Sequence, residues 1–110
     1  MTIARHVRAF RVVEFMSGTT LSSDGLDPRR RRLLFRAWHR GMREVDLITG
    51  RFADAHLAGL TEAEVGDFER LMDVPEPELL AWVMGSEATP ADHDTELFRR
   101  MCNFQRGGAA

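Results

Sequence analysis

Residues 27–41 read Asp-Pro-Arg-Arg-Arg-Arg-Leu-Leu-Phe-Arg-Ala-Trp-His-Arg-Gly, and this stretch sets the fold. Asp27 is a suitable N-cap, and Pro28 suits the first turn of a helix because it lacks an N–H that would need a partner. Apolar side chains then recur at the spacing of one helix face: Leu33, Leu34, Ala37 and Trp38. The stretch therefore predicts an amphipathic helix that ends at Gly41.

Two more helices are predicted after Gly41. The second runs from about residue 42 to residue 58, and it contains Gly50 at a cost of about 1 kcal/mol relative to alanine. Thr61 and Glu64 have the spacing of a capping box, which predicts the start of a third helix. That helix carries apolar residues at core spacing: Val65, Phe68, Leu71 and Met72.

The last part of the domain predicts a fourth and a fifth helix. The fourth begins at Pro77 and stops at Gly85, and the fifth runs from Asp92 to about Gln105. No alternating apolar run is long enough to predict a strand. The sequence therefore predicts an all-α fold, a compact five-helix bundle.

The predicted domain does not use the whole chain. Residues 1–26 are interpreted as a disordered N-terminal extension, residues 27–106 as the helical domain, and residues 107–110 as a flexible tail. The start of the extension is rich in arginine and poor in acids, which is typical of a mitochondrial transit peptide. We favour instead a mis-called start, with the natural chain beginning near Met16.

Composition excludes several function classes. The 110 residues carry a net charge of −2, so the chain has no overall attraction for nucleic acid or anionic membranes. The only cysteine, Cys102, excludes an intrachain disulfide and a multi-cysteine metal site. No apolar stretch reaches about 18 residues, so no membrane-spanning helix is predicted.

The run from Arg29 to Arg32 supports an alternative function, that of a small helical nucleic-acid-binding or regulatory protein. Four consecutive arginines on a helix point in different directions and do not form one stripe. They also lie at the positive end of the helix dipole, where basic groups are unfavourable. Because acidic residues outnumber basic ones in the whole chain, we prefer a solvated or partner-facing role for this run.

No enzyme motif is present in the sequence. Phosphate-binding loops, nucleophile elbows and HExxH motifs are all missing, so no catalytic residue is predicted. The histidines lack the spacing of metal ligands, and no metal site is predicted. They are scattered along the chain: His6, His39, His56 and His93.

The main candidate site is the stretch Arg40-Gly41-Met42-Arg43-Glu44, between the first two predicted helices. Two arginines and a glutamate around a glycine make a dense charged corner, which suits recognition of another protein. A purely structural interpretation is equally consistent with the residues. Gly41 would then only end one helix, and Glu44 would only be a favourable acid in the first turn of the next.

This stretch resembles the RGxxE signature of the flavinylation factors of succinate dehydrogenase, the SdhE proteins of bacteria and succinate dehydrogenase assembly factor 2 of mitochondria. The resemblance extends over residues 28–105 and includes further matches in order: Phe52, 60–64, 68–73 and 77–84. It implies a five-helix domain that is not an enzyme.

The resemblance also implies a function for the corner. Family members bind the flavoprotein subunit of succinate dehydrogenase, and in some bacteria that of fumarate reductase, and promote covalent attachment of FAD to a histidine of that partner. No cofactor is expected to be held stably by the chain itself. The implied contact residues are Arg40, Gly41 and Glu44, with Met42, Arg43 and Asp46 as neighbours. We expect a monomer in the bacterial cytoplasm, with the mitochondrial matrix as the alternative.

Overall fold

The computed structural model describes residues 24–107. The predicted extension, residues 1–26, lies outside the described residues except for its last three. The predicted tail, residues 107–110, lies outside them except for Gly107. The proposed natural start near Met16 also lies outside the described part of the chain.

Five α-helices and no strand are found in residues 24–107, which confirms the predicted all-α, five-helix architecture. Short 3₁₀ turns follow the second helix at Leu57–Gly59 and precede the fifth at Ala91–His93. The helices are α1 (Pro28–Trp38), α2 (Arg43–His56), α3 (Glu62–Met72), α4 (Glu76–Met84) and α5 (Glu96–Gln105).

The predicted N-caps of α1 and α3 are confirmed. The Asp27 carboxylate accepts a hydrogen bond from the backbone N–H of Arg30 at 2.7 Å. At α3, the Thr61 hydroxyl accepts from the Glu64 N–H at 3.1 Å, while the Glu64 carboxylate accepts from the Thr61 N–H at 2.8 Å. Both signals are local, so a short stretch of sequence was sufficient to predict them.

The predicted start of the fifth helix at Asp92 is wrong. α5 begins at Glu96, and Thr95 is its N-cap, because its hydroxyl accepts from the backbone N–H of Phe98 at 3.0 Å. Residues 91–93 form a separate 3₁₀ turn. A threonine with an acid directly after it is a stronger start signal than an isolated acid.

Other helix ends differ from the predictions by one to three residues, and α1 ends at Trp38, three residues before the predicted end at Gly41. Met42 precedes α2 as its N-cap and is not its first residue. Glu76, and not Pro77, opens α4. The predicted end of the second helix at Ala58 falls within the 3₁₀ turn Leu57–Gly59.

All five helices contribute to one apolar core, with Phe52 of α2 and Phe68 of α3 fully buried in it. Their rings lie 5.8 Å apart, centroid to centroid. Leu26 is also part of this core, with only 8% of its surface exposed. A leucine placed just before the cap of α1 can therefore still bury its side chain against the helices, and the domain boundary at residue 27 stays a prediction.

The packing of α1 on α2 explains Gly50. A Cβ atom at position 50 would lie 2.3 Å from Cδ2 of Trp38, so only glycine leaves room for the indole ring. The indole Nε1 donates to the Asp54 carboxylate at 3.2 Å. Thr49, the residue before Gly50, is buried, and its hydroxyl donates to the Ala37 carbonyl oxygen at 2.5 Å. The helix-weakening glycine is therefore the contact that lets α1 approach α2.

We expect Gly50→Ala to lower the free energy of unfolding by about 1–3 kcal/mol, because overpacking against Trp38 outweighs the better helix propensity of alanine. Urea unfolding measures the change. Gly66→Ala on α3 is the matched control, since the nearest atom to its Cβ is Arg29 Nη2 at 3.6 Å. That variant should gain about 0.5–1 kcal/mol. Equal stabilisation by both substitutions would contradict the proposed packing role of Gly50.

His56 is a titratable side chain that packs against two aromatic rings. Its ring lies 4.9 Å from the Phe52 ring and 5.3 Å from the Phe104 ring, measured between centroids. Its Nε2 atom is buried and has no hydrogen-bond partner among the described residues. Burial lowers the pKa of His56, and the charge of Arg100 lowers it further. The folded domain therefore favours neutral His56.

We expect the unfolding free energy to fall as the pH drops below about 6.5, the pKa of histidine in an unfolded chain. In that range the unfolded chain binds more protons at this position than the folded domain does, so stability decreases with acidification. His56→Gln should reduce the dependence. Urea unfolding at pH 7.5 and 5.5 tests this, and an unchanged pH dependence in the variant would exclude His56 as its source.

Candidate functional site

The charged corner is the link between α1 and α2. Its backbone turns at Gly41, which has φ of +110° and is exposed. Side chains other than glycine are strained at such a φ value. A Cβ at this position would lie 3.4 Å from Oε2 of Glu76, which is ordinary contact, so the backbone conformation is what requires glycine.

Arg40 points into the protein. Its side chain is only 9% exposed. The guanidinium donates to the Met72 carbonyl oxygen, and to the Val74 carbonyl oxygen at 2.6 Å. Its Nε lies 3.6 Å from Oε2 of Glu76. Burial lowers the pKa of Arg40, while the negative charge of Glu76 opposes that effect. Arg40 thus ties the α1–α2 link to the α3–α4 link.

Asp46 also makes its contact within the chain. Its Oδ1 accepts from the backbone N–H of Arg40 at 2.6 Å, which fixes the link from the α2 side. Met42 is half-buried and packs against the core. Arg40, Met42 and Asp46, which the sequence grouped with the contact residues, therefore hold the corner in place.

Arg43 and Glu44 are the exposed charges of the corner. They open α2, and within residues 24–107 neither side chain forms an ion pair or a hydrogen bond. Gly41 lies beside them, so the backbone is accessible at the same place. The structure thus presents an exposed acid and an exposed base on a corner that buried contacts hold in place.

Two of the four arginines in the Arg29–Arg32 run are exposed, and the other two form ion pairs within the chain. Arg29 donates to Glu69 at 2.8 and 2.9 Å and to Glu62 at 2.9 Å. Hydrogen bonding to Glu69 raises the pKa of Arg29. Arg30 pairs with Asp27 at 2.7 Å and with Glu62 at 3.1 Å. The bonds to Glu62 and Glu69 join α1 to α3, and Arg31 and Arg32 are the exposed pair of the run. The arrangement does not favour a basic surface for nucleic acid.

Other chemical sites are not found in the part of the chain that the structure describes. Residues 24–107 contain no cluster of three or more histidine, cysteine or acidic side chains that could hold a metal ion. Cys102 is buried, and burial raises the pKa of its thiol. None of the described helices has the length and apolar character needed to cross a bilayer.

Comparison with known protein families identifies the family to which the chain belongs. Residues 31–105 match the family model described as "Flavinator of succinate dehydrogenase". This range includes the whole corner. The chain belongs to this family. The family resemblance predicted from the RGxxE signature and its neighbours is therefore confirmed.

Named relatives of the family are found in bacteria and mitochondria. The FAD assembly factor SdhE of Acetobacter pasteurianus is 39% identical over 95 residues, which cover 84% of this chain and 87% of that protein. Succinate dehydrogenase assembly factor 2 of Dictyostelium discoideum is 31% identical over 74 residues, covering 67% of this chain. The chain spans only 52% of that mitochondrial relative. No solved structure matches the chain.

We expect Arg40→Gln to lower the free energy of unfolding by about 2–4 kcal/mol, because it leaves the Met72 and Val74 carbonyl oxygens without their charged donor. Arg43→Gln is the matched control, since it removes an exposed arginine from the same corner. It should change stability by no more than about 0.5 kcal/mol. Urea unfolding monitored by circular dichroism measures both. Similar stabilities for the two variants would argue against a structural role for Arg40.

Proposed function

We propose that this chain is an assembly factor that binds the flavoprotein subunit of succinate dehydrogenase and promotes covalent attachment of FAD to it. Membership of the flavinator family supports the reaction, and the names of the bacterial and mitochondrial relatives agree with it. The observation that carries the proposed docking site is the fixed corner, at which Arg43 and Glu44 are exposed without ion-pair partners in residues 24–107.

The chemistry of the corner suits docking onto another protein. Gly41 has no side chain, so a partner's backbone can approach it closely. The Glu44 carboxylate can accept charge-assisted hydrogen bonds from an arginine or a protonated histidine of the flavoprotein. Arg43 offers a forked donor for a partner carboxylate. Arg40, Met42 and Asp46 contribute to docking by holding these groups in position.

The factor in this proposal is not an enzyme. It binds an assembly-competent state of the flavoprotein more tightly than other states, and this difference in affinity is sufficient to increase the population of that state. The bond between FAD and the partner's histidine then forms within the flavoprotein. FAD is held by the partner, and the factor keeps no cofactor of its own.

The remaining details of the proposal come from the resemblance. The factor is a monomer when free, and the flavoprotein of fumarate reductase is proposed as a second client. The bacterial cytoplasm is the proposed compartment, because the SdhE protein of Acetobacter pasteurianus aligns over 87% of its own length. The mitochondrial matrix is the alternative.

We expect a strain that lacks the gene to lose covalent flavin from its succinate dehydrogenase flavoprotein, and the wild-type gene to restore it. Flavin fluorescence of the flavoprotein band in a denaturing gel measures the attachment. Glu44→Gln should weaken the purified complex by about tenfold or more, the effect of losing one charge-assisted hydrogen bond. The same variant should restore less covalent flavin than the wild type does.

Arg31→Gln is the control, because it removes an exposed charge from α1 outside the corner. It should restore covalent flavin fully, and immunoblots should show equal amounts of every variant. Unchanged flavin fluorescence in the deletion strain would refute the assembly function. Full restoration by Glu44→Gln would instead exclude only the proposed role of this carboxylate.

A further inference from the structure

An apolar groove begins beside the corner and runs between α2, α4 and α5. It has a volume of about 810 Å³. Its apolar lining consists of Leu47, Ile48, Leu80, Met84 and Phe104. Met84 is 60% exposed, although it belongs to the group of large apolar side chains that are normally buried. Glu44, the exposed acid of the corner, lies on the rim of the same groove.

The rim carries two opposite charges at a defined spacing. Glu44 and Arg51 both line the groove and are exposed, and within residues 24–107 neither forms an ion pair. They are seven positions apart on α2, which places them on one face and about 10 Å apart along the helix axis. Leu47 and Ile48 lie between them on that face. The groove therefore offers acid, apolar and basic surface in order.

We propose that this groove binds an amphipathic helix of the succinate dehydrogenase flavoprotein. The helix places a basic side chain against Glu44, apolar side chains over Leu47 and Met84, and an acidic side chain against Arg51. Positions i, i+3, i+4 and i+7 of a helix provide this spacing, which is how amphipathic helices dock in apolar grooves. This inference rests on the proposed function, and it extends the docking surface from the corner along α2.

Continuity with the corner favours the flavoprotein over a second copy of this chain. A second copy carries suitable charges, but its own Leu47 and Ile48 are half-buried in the lining of a groove. Two such grooves facing each other leave space unfilled, whereas a helix fills one groove and reaches Glu44 at its end. The chain's own residues 1–23 are the other competing occupant, and the experiment below separates all three.

The first test measures binding of the purified flavoprotein, before FAD attachment, to the full-length chain. Met84→Ser should weaken this binding by about tenfold, as expected for an apolar anchor at the centre of an interface. Phe35→Ser is the matched control, because Phe35 is 63% exposed and lies on α1, outside the groove. It should alter affinity less than threefold. Both positions are on the surface, and thermal unfolding checks that each variant folds.

Binding within threefold of the wild type by Met84→Ser would overturn the groove proposal, and so would equal weakening by both variants. These results are distinct from failure of the proposed function, in which the wild-type chain itself does not bind the flavoprotein. The wild-type measurement therefore shows which of the two proposals has failed.

The second test identifies the occupant. A photo-crosslinking amino acid at position 84 of the full-length chain is irradiated with the flavoprotein present, and the linked peptides are mapped by mass spectrometry. The expected product joins position 84 to a flavoprotein helix with opposite charges seven positions apart around apolar residues. Links to residues 1–23 of the same chain, to a second copy, or to a flavoprotein segment without this pattern would overturn the proposal.

Discussion

The guanidinium of Arg40 donates to the carbonyl oxygens of Met72 and Val74, where α3 ends and α4 begins. Carbonyl groups at the end of a helix have no partner within that helix, and leaving them buried and unpaired would cost about 1–3 kcal/mol each. Arg40 satisfies one such carbonyl, that of Met72, and also the Val74 carbonyl in the link that follows α3. The α1–α2 link and the α3–α4 link are therefore held together by one side chain.

The positions of the exposed groups at the corner depend on these hydrogen bonds of Arg40. Asp46 accepts from the backbone N–H of Arg40, so the start of α2 is fixed relative to the buried guanidinium. Gly41 makes the turn between them at a φ value that other residues avoid. Arg43 and Glu44 then emerge from a rigid base. Groups that are already in position lose less conformational entropy on binding, which favours recognition.

The sequence was sufficient where the determining signal is local. The caps at Asp27 and at Thr61 with Glu64 depend on residues within one helical turn, and the structure has both. Gly50 could not be interpreted in the same way, because the reason for it is the ring of Trp38, twelve positions earlier. In sequence alone a glycine inside a helix indicates only weakness, and its packing partner is known only once the helices are assembled.

For a related reason, the sequence could not predict that the Arg40 side chain points into the protein. Its partners are mainly backbone carbonyl groups, which every residue has, so no residue type marks them in advance. The sequence signature therefore did not show that Arg40 is buried while Glu44 is exposed. Loss of Arg40 and loss of Glu44 would affect cells in different ways. Without Arg40 the unfolded fraction rises, and proteases then reduce the pool of the protein. If Glu44 has the proposed docking role, its loss leaves the amount of protein unchanged and weakens binding to the partner, so the two losses would limit growth for different reasons.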